Sequence, residues 1–454
     1  MANIPEIIHL GAEQGVTGSC HLMLAGRLNI MVDCGLCQGN DFQIPSKDWP
    51  VKPSEIDFLF LTHAHIDHIG RLPELIDNGF RGEIICTHPS KALLAPMLYD
   101  AMGFSGRANR EVERLNRIID ELSWGFEYNE RFSLKNCISF KLKNAGHILG
   151  SCFIRFEGKD PAWSVIFSGD LGGKHAPILP DPDAPEPCDL LILESTYGNR
   201  IHENRQQRIQ RLGEALGQSL ADDGKVFVPA FALGRTQELI YEMDRLFSDP
   251  EYSLMFPTLT PETKIPVFVD SPLGLDITKI YSDISKYWDK ESTALFYKGD
   301  HPIDFDHLFA VKSHRDHEKL MDIPGPAVII AGSGMCSGGR IIEHLVSGLD
   351  EPSNDVFFVG YQARGTPGRD ILKHSGQKNG YVYLNGSRVP IKAKIHTLNG
   401  YSAHADQKGL VDWVSSMPTK PGRIKLVHGD HEAKQELAVI LEDKGYIVVP
   451  TSGW

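Results

Sequence analysis

The chain has 454 residues and a formal charge of −13, from 46 Lys and Arg against 59 Asp and Glu. At roughly 150 residues per domain this length predicts two or three domains. A composition of 41% hydrophobic and 23% charged residues excludes a disordered chain. The acidic balance also excludes a general polyanion binder, because affinity for phosphate comes from neutralising it with Lys and Arg, so positive charge for nucleic acid has to be local.

In chain order, Met1 to Leu10 lacks the basic and apolar regions of a secretory leader, and no stretch approaches the roughly 20 apolar residues that span a bilayer. The expectation is a cytoplasmic protein with no membrane partner. Its eight Cys are scattered, as suits small buried hydrophobes in a reducing compartment; Cys34-Gly-Leu-Cys37 reads as a tight turn after a strand. Short apolar runs at Leu28 to Val32, Asp57 to Leu61, Ile84 to Cys86, Val165 to Phe167 and Leu190 to Leu193 predict buried strands. Between them, Arg71 to Asp77 and Arg110 to Leu122 carry helical periodicity. The alternation continues with a helix from Arg205 to Leu220, a strand at Lys225 to Pro229, a helix at Arg235 to Leu246, and strands at Val267 to Asp270, Val328 to Ala331 and Val356 to Val359. Strands and helices joined by short connections predict an α/β chain whose second unit, about 206–388, is a parallel sheet flanked by helices.

The strongest chemical signal is Leu59-Phe-Leu-Thr-His63-Ala-His65-Ile-Asp67-His68, an apolar strand running into three His and one Asp. A core would have to desolvate all four without compensation, whereas imidazole and carboxylate donors aimed at one point suit zinc, with manganese or iron compatible. His147, between glycines in Asn144-Ala-Gly-His147-Ile-Leu-Gly150, and Asp170, His428 and Asp33, each closing an apolar strand, are of the same type. Each alone would more often be a turn residue.

Together these motifs resemble the metallo-β-lactamase superfamily, whose H-x-H-x-D-H signature is matched by His63, His65, Asp67 and His68. Glu194 in Leu191-Ile-Leu-Glu-Ser-Thr-Tyr-Gly, His404 in Tyr401-Ser-Ala-His-Ala-Asp and His428 are similar to motifs A, B and C of the β-CASP branch, which includes the cleavage and polyadenylation endonuclease and RNase J. The resemblance implies an αββα sandwich with an inserted β-CASP domain: residues 1–205 and 389–454 for the first, 206–388 for the insertion, with the active site between them. It implies two zinc ions, one held by His63, His65 and His147 and one by Asp67, His68 and His428, bridged by Asp170, with Asp33 orienting a ligand. It further implies hydrolysis of RNA by a hydroxide shared between the metals, with His404 as general acid held by Glu194, leaving 3′-hydroxyl and 5′-phosphate ends.

Residues 351–400 hold seven basic side chains (Arg364, Arg369, Lys373, Lys378, Arg388, Lys392 and Lys394) against three acidic ones, a local charge of +4 that leads into His404. Arg364 and Ser402 are therefore expected to contact phosphate. For Ser333, Gly334, Met335 and Arg340, in the Gly-rich turn after the strand at Val328, the same contact is what the resemblance implies, because the β-CASP family holds substrate phosphate with the corresponding loop. His301, His307, His314 and His317 match no metal motif and read as structural or surface residues. Within the family a His at the position of His428 accompanies RNA rather than DNA substrates, and the inserted unit and basic block speak against a small-molecule metallohydrolase. His65, where di-iron oxidoreductases carry a carboxylate, speaks against electron transfer. A complete ligand set speaks against an inactive scaffold. No appended C-terminal module of the RNase J type is expected, so endonucleolytic cleavage of single-stranded RNA is expected ahead of 5′-to-3′ exonuclease action. Relatives often dimerise, but nothing in the sequence marks an interface.

Overall fold

A computed structural model describes residues 4–103, 105–135, 138–202, 207–260, 263 and 265–450. The expected boundary at 205/206 and the start of the helix expected from Arg205 lie outside the described residues; the helix there spans Arg208–Ser219.

The apolar runs pair side by side. Leu28–Val32, Phe58–Phe60 and Glu83–Thr87 are parallel neighbours, with Ile30 opposite Phe58 and Phe58 opposite Glu83. Strands Glu6–Gly11 and Cys20–Ala25 extend this sheet antiparallel on one side, and Ser123–Phe126 adds a parallel strand on the other. A second sheet runs from Val448–Val449 through Arg423–Val427, Leu190–Glu194 and Ala162–Phe167 in parallel. It then continues antiparallel through Cys152–Lys159, Ile138–Asn144 and Arg131–Ser133.

Phe60, Phe140, Phe156, Phe167, Ile30 and Leu142 come from both sheets and form one buried cluster, so the two faces pack on each other. Each such side chain contributes roughly 1.5–3 kcal/mol when fully buried. On the outer face of the second sheet, Phe153, Leu191 and Leu426 pack against Leu410 and Val414 of helix Gln407–Ser415 and Leu437 and Leu441 of helix His431–Asp443. This unit comprises residues 1–174, 179–201 and 404–454; the other comprises 175–178 and 202–403.

Among the described residues, the second unit has a six-stranded parallel sheet. Its order is Leu308–Ala310, Val267–Asp270, Ala327–Ala331, Lys225–Pro229, Asp355–Phe358, Lys394–Thr397. Every residue of Ala327–Ala331 is buried, as expected of a strand covered on both faces. The chain was expected to leave this unit at 389. Instead, Lys394–Thr397 completes its sheet beside Asp355–Phe358, and the unit runs on to Ala403. A four-residue edge strand reading Lys-Ile-His-Thr carries no periodicity that would reveal it. No helix among the described residues is long and apolar enough to cross a membrane.

Candidate metal centre

The ends of five strands, and a short helix after one of them, bring the candidate residues to one region of the first unit. Asp33 follows Leu28–Val32, His63 follows Phe58–Phe60, and Asp67 and His68 lie on the short helix Ile66–Ile69. Asp170 follows Ala162–Phe167, Glu194 ends Leu190–Glu194, and His428 follows Arg423–Val427. Two of these residues adopt left-handed backbone, Asp33 at φ 58° and His428 at φ 50°. That conformation costs roughly 1–3 kcal/mol for a non-glycine residue and persists only where neighbours enforce it. Here the Asp33 amide donates to the Phe60 carbonyl (2.8 Å) and the His428 amide to that of Ala12 (2.7 Å). Gly35 lets the loop lie against the Asp67 carbonyl, which a Cβ would approach to 1.6 Å.

The donor atoms form two sets that meet at Asp170. His63 Nε2 lies 3.0 Å from His65 Nδ1, which lies 3.2 Å from His147 Nε2. Asp170 Oδ2 is 3.6 Å from both His63 Nε2 and His147 Nε2. Asp170 Oδ1 faces the other way, 3.3 Å from His68 Nε2 and 3.5 Å from His428 Nε2. Asp67 Oδ2 closes that set, 4.0 Å from His68 Nε2 and 3.6 Å from His428 Nε2. Donors bound tetrahedrally at about 2.0–2.2 Å stand about 3.3–3.6 Å from one another, close to most of these separations. His68 Nε2, His428 Nε2 and Asp170 Oδ1 are buried with no hydrogen bond of sound geometry among the described residues. Leaving such groups unsatisfied costs roughly 1–3 kcal/mol each, and a divalent cation would satisfy them together.

Electrostatics points the same way. Burial and the neighbouring His68 hold the His63 imidazole well below its ordinary range, and burial does the same for His147, so both present lone pairs. Burial opposes charge on His68, but the Asp170 and Asp33 carboxylates outweigh it and push that group well up. Burial likewise opposes charge on Asp170, which the imidazoles of His428 and His68 hold well down. Asp67 is also lowered, because His428 and His68 overcome its burial. The region thus demands positive charge.

Around the donors, a layer of hydrogen bonds fixes ring orientation. The Asp33 carboxylate lies 2.7 Å from His68 Nδ1 and accepts from the Thr62 amide (2.8 Å), the Thr62 hydroxyl (2.9 Å) and the Ser19 hydroxyl (3.2 Å). The Thr196 hydroxyl lies 3.0 Å from His428 Nδ1 and donates to the His428 carbonyl (3.1 Å). Sequence reasoning found Asp33 but missed Thr62, Ser19 and Thr196. Hydroxyl residues are too common for the sequence to mark them, although Thr62 directly precedes His63.

His404 joins the region beside Gly172, to which it is bridged, and near His147 and Glu194. Its Nδ1 lies 3.1 Å from Glu194 Oε1 and its Nε2 lies 3.8 Å from Asp170 Oδ2. Glu194 in turn accepts from the amides of Leu171 (2.7 Å) and Thr196 (3.2 Å). Burial opposes protonation of His404, and the Glu194 and Asp170 carboxylates overcome it, raising the group. His404 and Asp67 keep 16% and 17% of their side-chain surface open, whereas His63, His68, His147, Asp170 and His428 are almost fully buried. His65 is also only partly buried, so solvent meets the centre on the side of His404, Asp67 and His65.

The expected phosphate contacts lie in the second unit. The amide of Gln362 donates to the Gly334 carbonyl (2.9 Å), and Ser333 Oγ accepts from the Ser337 amide (3.0 Å). Arg364 is exposed and Ser402 buried. The Arg340 guanidinium is committed internally, donating to Asp270 Oδ1 (2.6 Å) and to the carbonyls of Val311 (2.9 Å) and Lys312 (3.2 Å). Asp270 Oδ2 also meets His317 Nδ1 (2.5 Å) and His344 Nε2 (2.7 Å). This second Asp–His–His group differs from the first: its carboxylate oxygens are already hydrogen-bonded and an arginine supplies the counter-charge, which is the arrangement of a structural network. His317 is thus a buried structural residue, and His314 is exposed beside it.

Comparison with known proteins agrees with this geometry. Residues 14–198 match the metallo-beta-lactamase superfamily model, 236–371 the Beta-Casp domain, and 388–450 the Zn-dependent metallo-hydrolase RNA specificity domain. The chain is 35% identical over 440 residues to Ribonuclease TTHA0252 of Thermus thermophilus, covering 97% of this chain and 96% of that protein. It is 28% identical over 439 residues to Transcription termination factor FttA of Methanocaldococcus jannaschii, covering 94% of this chain and 67% of that protein. A crystal structure of a protein of unknown function from Enterococcus faecalis shares the fold, with a TM-score of 0.56 at 13% identity, over 98% of this chain and 97% of that one.

Proposed function

Because the chain belongs to the β-CASP branch of the metallo-β-lactamase superfamily, we propose that it is a metal-dependent ribonuclease that hydrolyses phosphodiesters of single-stranded RNA. The observation that carries this reading is the pair of donor sets sharing Asp170, three of whose atoms are buried without hydrogen bonds. The ribonuclease and termination-factor relatives support RNA as the substrate.

His63, His65 and His147 would hold one divalent ion and Asp67, His68 and His428 another, with Asp170 within reach of both sets. Imidazole-rich donors favour zinc. When bound, such a pair activates water at neutral pH and stabilises charge on phosphate oxygens. The chain's own residues do the rest. Asp33 orients His68 and Thr196 orients His428. Glu194 accepts from His404 Nδ1, favours the protonated ring and turns Nε2 toward the donor sets, where it delivers a proton to the leaving 3′-oxygen. The products carry 3′-hydroxyl and 5′-phosphate ends, and endonucleolytic cleavage is the primary mode. Ser333, Gly334, Met335, Arg364 and Ser402 contact phosphate; Arg340, whose donors are taken up inside the protein, is left out of that set.

Metal content and turnover measured on two variants test the roles. His428→Ala should lower the affinity for the second ion, whereas His404→Ala should retain both ions and lose about 10²- to 10⁴-fold in turnover. Loss of an ion from His404→Ala would make His404 a ligand and contradict the proton-donor role.

A further inference from the structure

Strands Tyr381–Leu384 and Ser387–Pro390 form a separate two-stranded hairpin in the second unit. Its inner residues, Val382, Leu384 and Val389, are buried in that unit's core. Its outer face is unusual, because the positions where an exposed strand would carry Thr or Lys hold Tyr381, 37% exposed, and Tyr383, 61% exposed. The rings stand 5.6 Å apart and perpendicular. Arg388 faces Tyr383 across the strand pair, and its guanidinium lies 4.1 Å over the Tyr381 ring. The His374 ring is also near-parallel to Tyr381 at 6.3 Å, with its Nδ1 3.1 Å from the Tyr381 carbonyl. The turn is Asn385-Gly386, both with positive φ, the pattern of a tight hairpin that holds its strands rigidly.

Charge identifies the occupant. From 367 to 390 the chain carries Arg369, Lys373, Lys378 and Arg388 against Asp370 alone, within a protein of net charge −13. Aromatic faces beside cations suit unpaired nucleobases joined by phosphates: every base has a π-face to stack, and arginine adds cation–π and phosphate contacts. A protein partner would gain little from so local a positive charge.

We propose that the outer face of this hairpin, Tyr381, Tyr383 and Arg388 with His374 alongside, is a binding platform for single-stranded RNA that stacks one or two bases outside the metal centre. The inference rests on the ribonuclease reading and deepens it. Rigid rings lose little freedom on binding, so the platform should matter measurably for affinity.

The test uses the full chain with its metals and two readouts. In the first, single-stranded RNA carrying 4-thiouridine is cross-linked by light, and the modified peptide is identified by mass spectrometry; the expected site is the peptide containing Tyr381 and Tyr383. In the second, Tyr383→Ala and Arg388→Ala should raise KM for a 20-nucleotide single strand about 10-fold to 100-fold. Their kcat, and their turnover of bis(p-nitrophenyl) phosphate, which carries neither a nucleobase nor a chain of phosphates, should be unchanged. Tyr383→Phe, which keeps the π-face, should retain wild-type KM. Cross-links elsewhere, together with unchanged KM in both alanine variants, would overturn the platform while leaving the ribonuclease reading intact. Failure of the wild-type protein to hydrolyse either substrate would overturn the ribonuclease reading, and the cross-link would still decide whether the hairpin binds RNA.

Discussion

Glu194→Gln probes the proton donor with almost no change in shape. In the native site, Oε1 accepts from His404 Nδ1 (3.1 Å) and the Leu171 amide (2.7 Å), and Oε2 accepts from the Thr196 amide (3.2 Å). A glutamine offers one acceptor oxygen, so its NH₂ must face a backbone N–H and one buried donor goes unpaired, at a cost of about 1–3 kcal/mol in stability. The larger effect is on protonation. Burial alone would keep His404 neutral; the Glu194 and Asp170 carboxylates raise it. A hydrogen bond to a charged group is worth about 1.5–3 kcal/mol. Removing the Glu194 charge takes that support away from the protonated ring and should lower the His404 pKa. The donor must be protonated to act, so activity falls as pH rises through that pKa. The alkaline limb of kcat against pH should therefore move toward lower pH in Glu194→Gln, with metal content intact. An alkaline limb that stays in place, or loss of an ion, would refute the reasoning.

Asp33→Asn keeps the acceptors for Thr62 but weakens the partner of His68 Nδ1. Chelator titration should show about 10- to 100-fold weaker binding of one ion and little change in the other. Gly35→Ala would drive a Cβ to 1.6 Å from the Asp67 carbonyl. Urea unfolding should show about 1–3 kcal/mol lost, with a matching fall in metal occupancy. His9 Nδ1 lies 2.9 Å from His21 Nδ1, and burial pushes His9 down to about 4. The unfolded chain then takes up the proton first, so stability should fall as pH drops from about 6.5 to about 4. The full shift corresponds to about 3 kcal/mol, and partial exposure of His9 reduces this to about 1–2 kcal/mol. His9→Gln should make that slope shallower in urea midpoints measured between pH 7 and 4.5, the remainder coming from the buried imidazoles of His21, His63 and His147, which burial also lowers.

The donor-dense run from His63 to His68 is legible in sequence because residue types expensive to bury are crowded at a strand end. His147, Asp170 and His428 are ordinary one by one; only their order along the chain, matching a family, singles them out. The parallel strands were legible as continuous apolar runs, but the strands Ile138–Asn144 and Cys152–Lys159 were not. They mix Lys, Arg and Glu with apolar residues, because Lys141, Lys143, Arg155 and Glu157 are only half-buried while their neighbours are in the core. Helix His88–Gly103 escaped because its apolar residues show no strong face and Pro96 interrupts the pattern. Arg340 was misleading for a physical reason: a Gly-rich turn followed by arginine looks the same whether the guanidinium faces substrate or, as here, an Asp270 that lies 70 residues earlier in the chain. Side-chain convergence from distant strands is set by sheet order, which one sequence does not display.

The central claim is tested most directly with end-labelled single-stranded RNA and DNA of one sequence, incubated with the protein before chelation, after chelation and after zinc is restored. The expected result is cleavage of RNA in preference to DNA, leaving 5′-phosphate and 3′-hydroxyl ends, abolished by the chelator and recovered with zinc. Cleavage that survives full removal of metal, or a clear preference for DNA, would contradict the account.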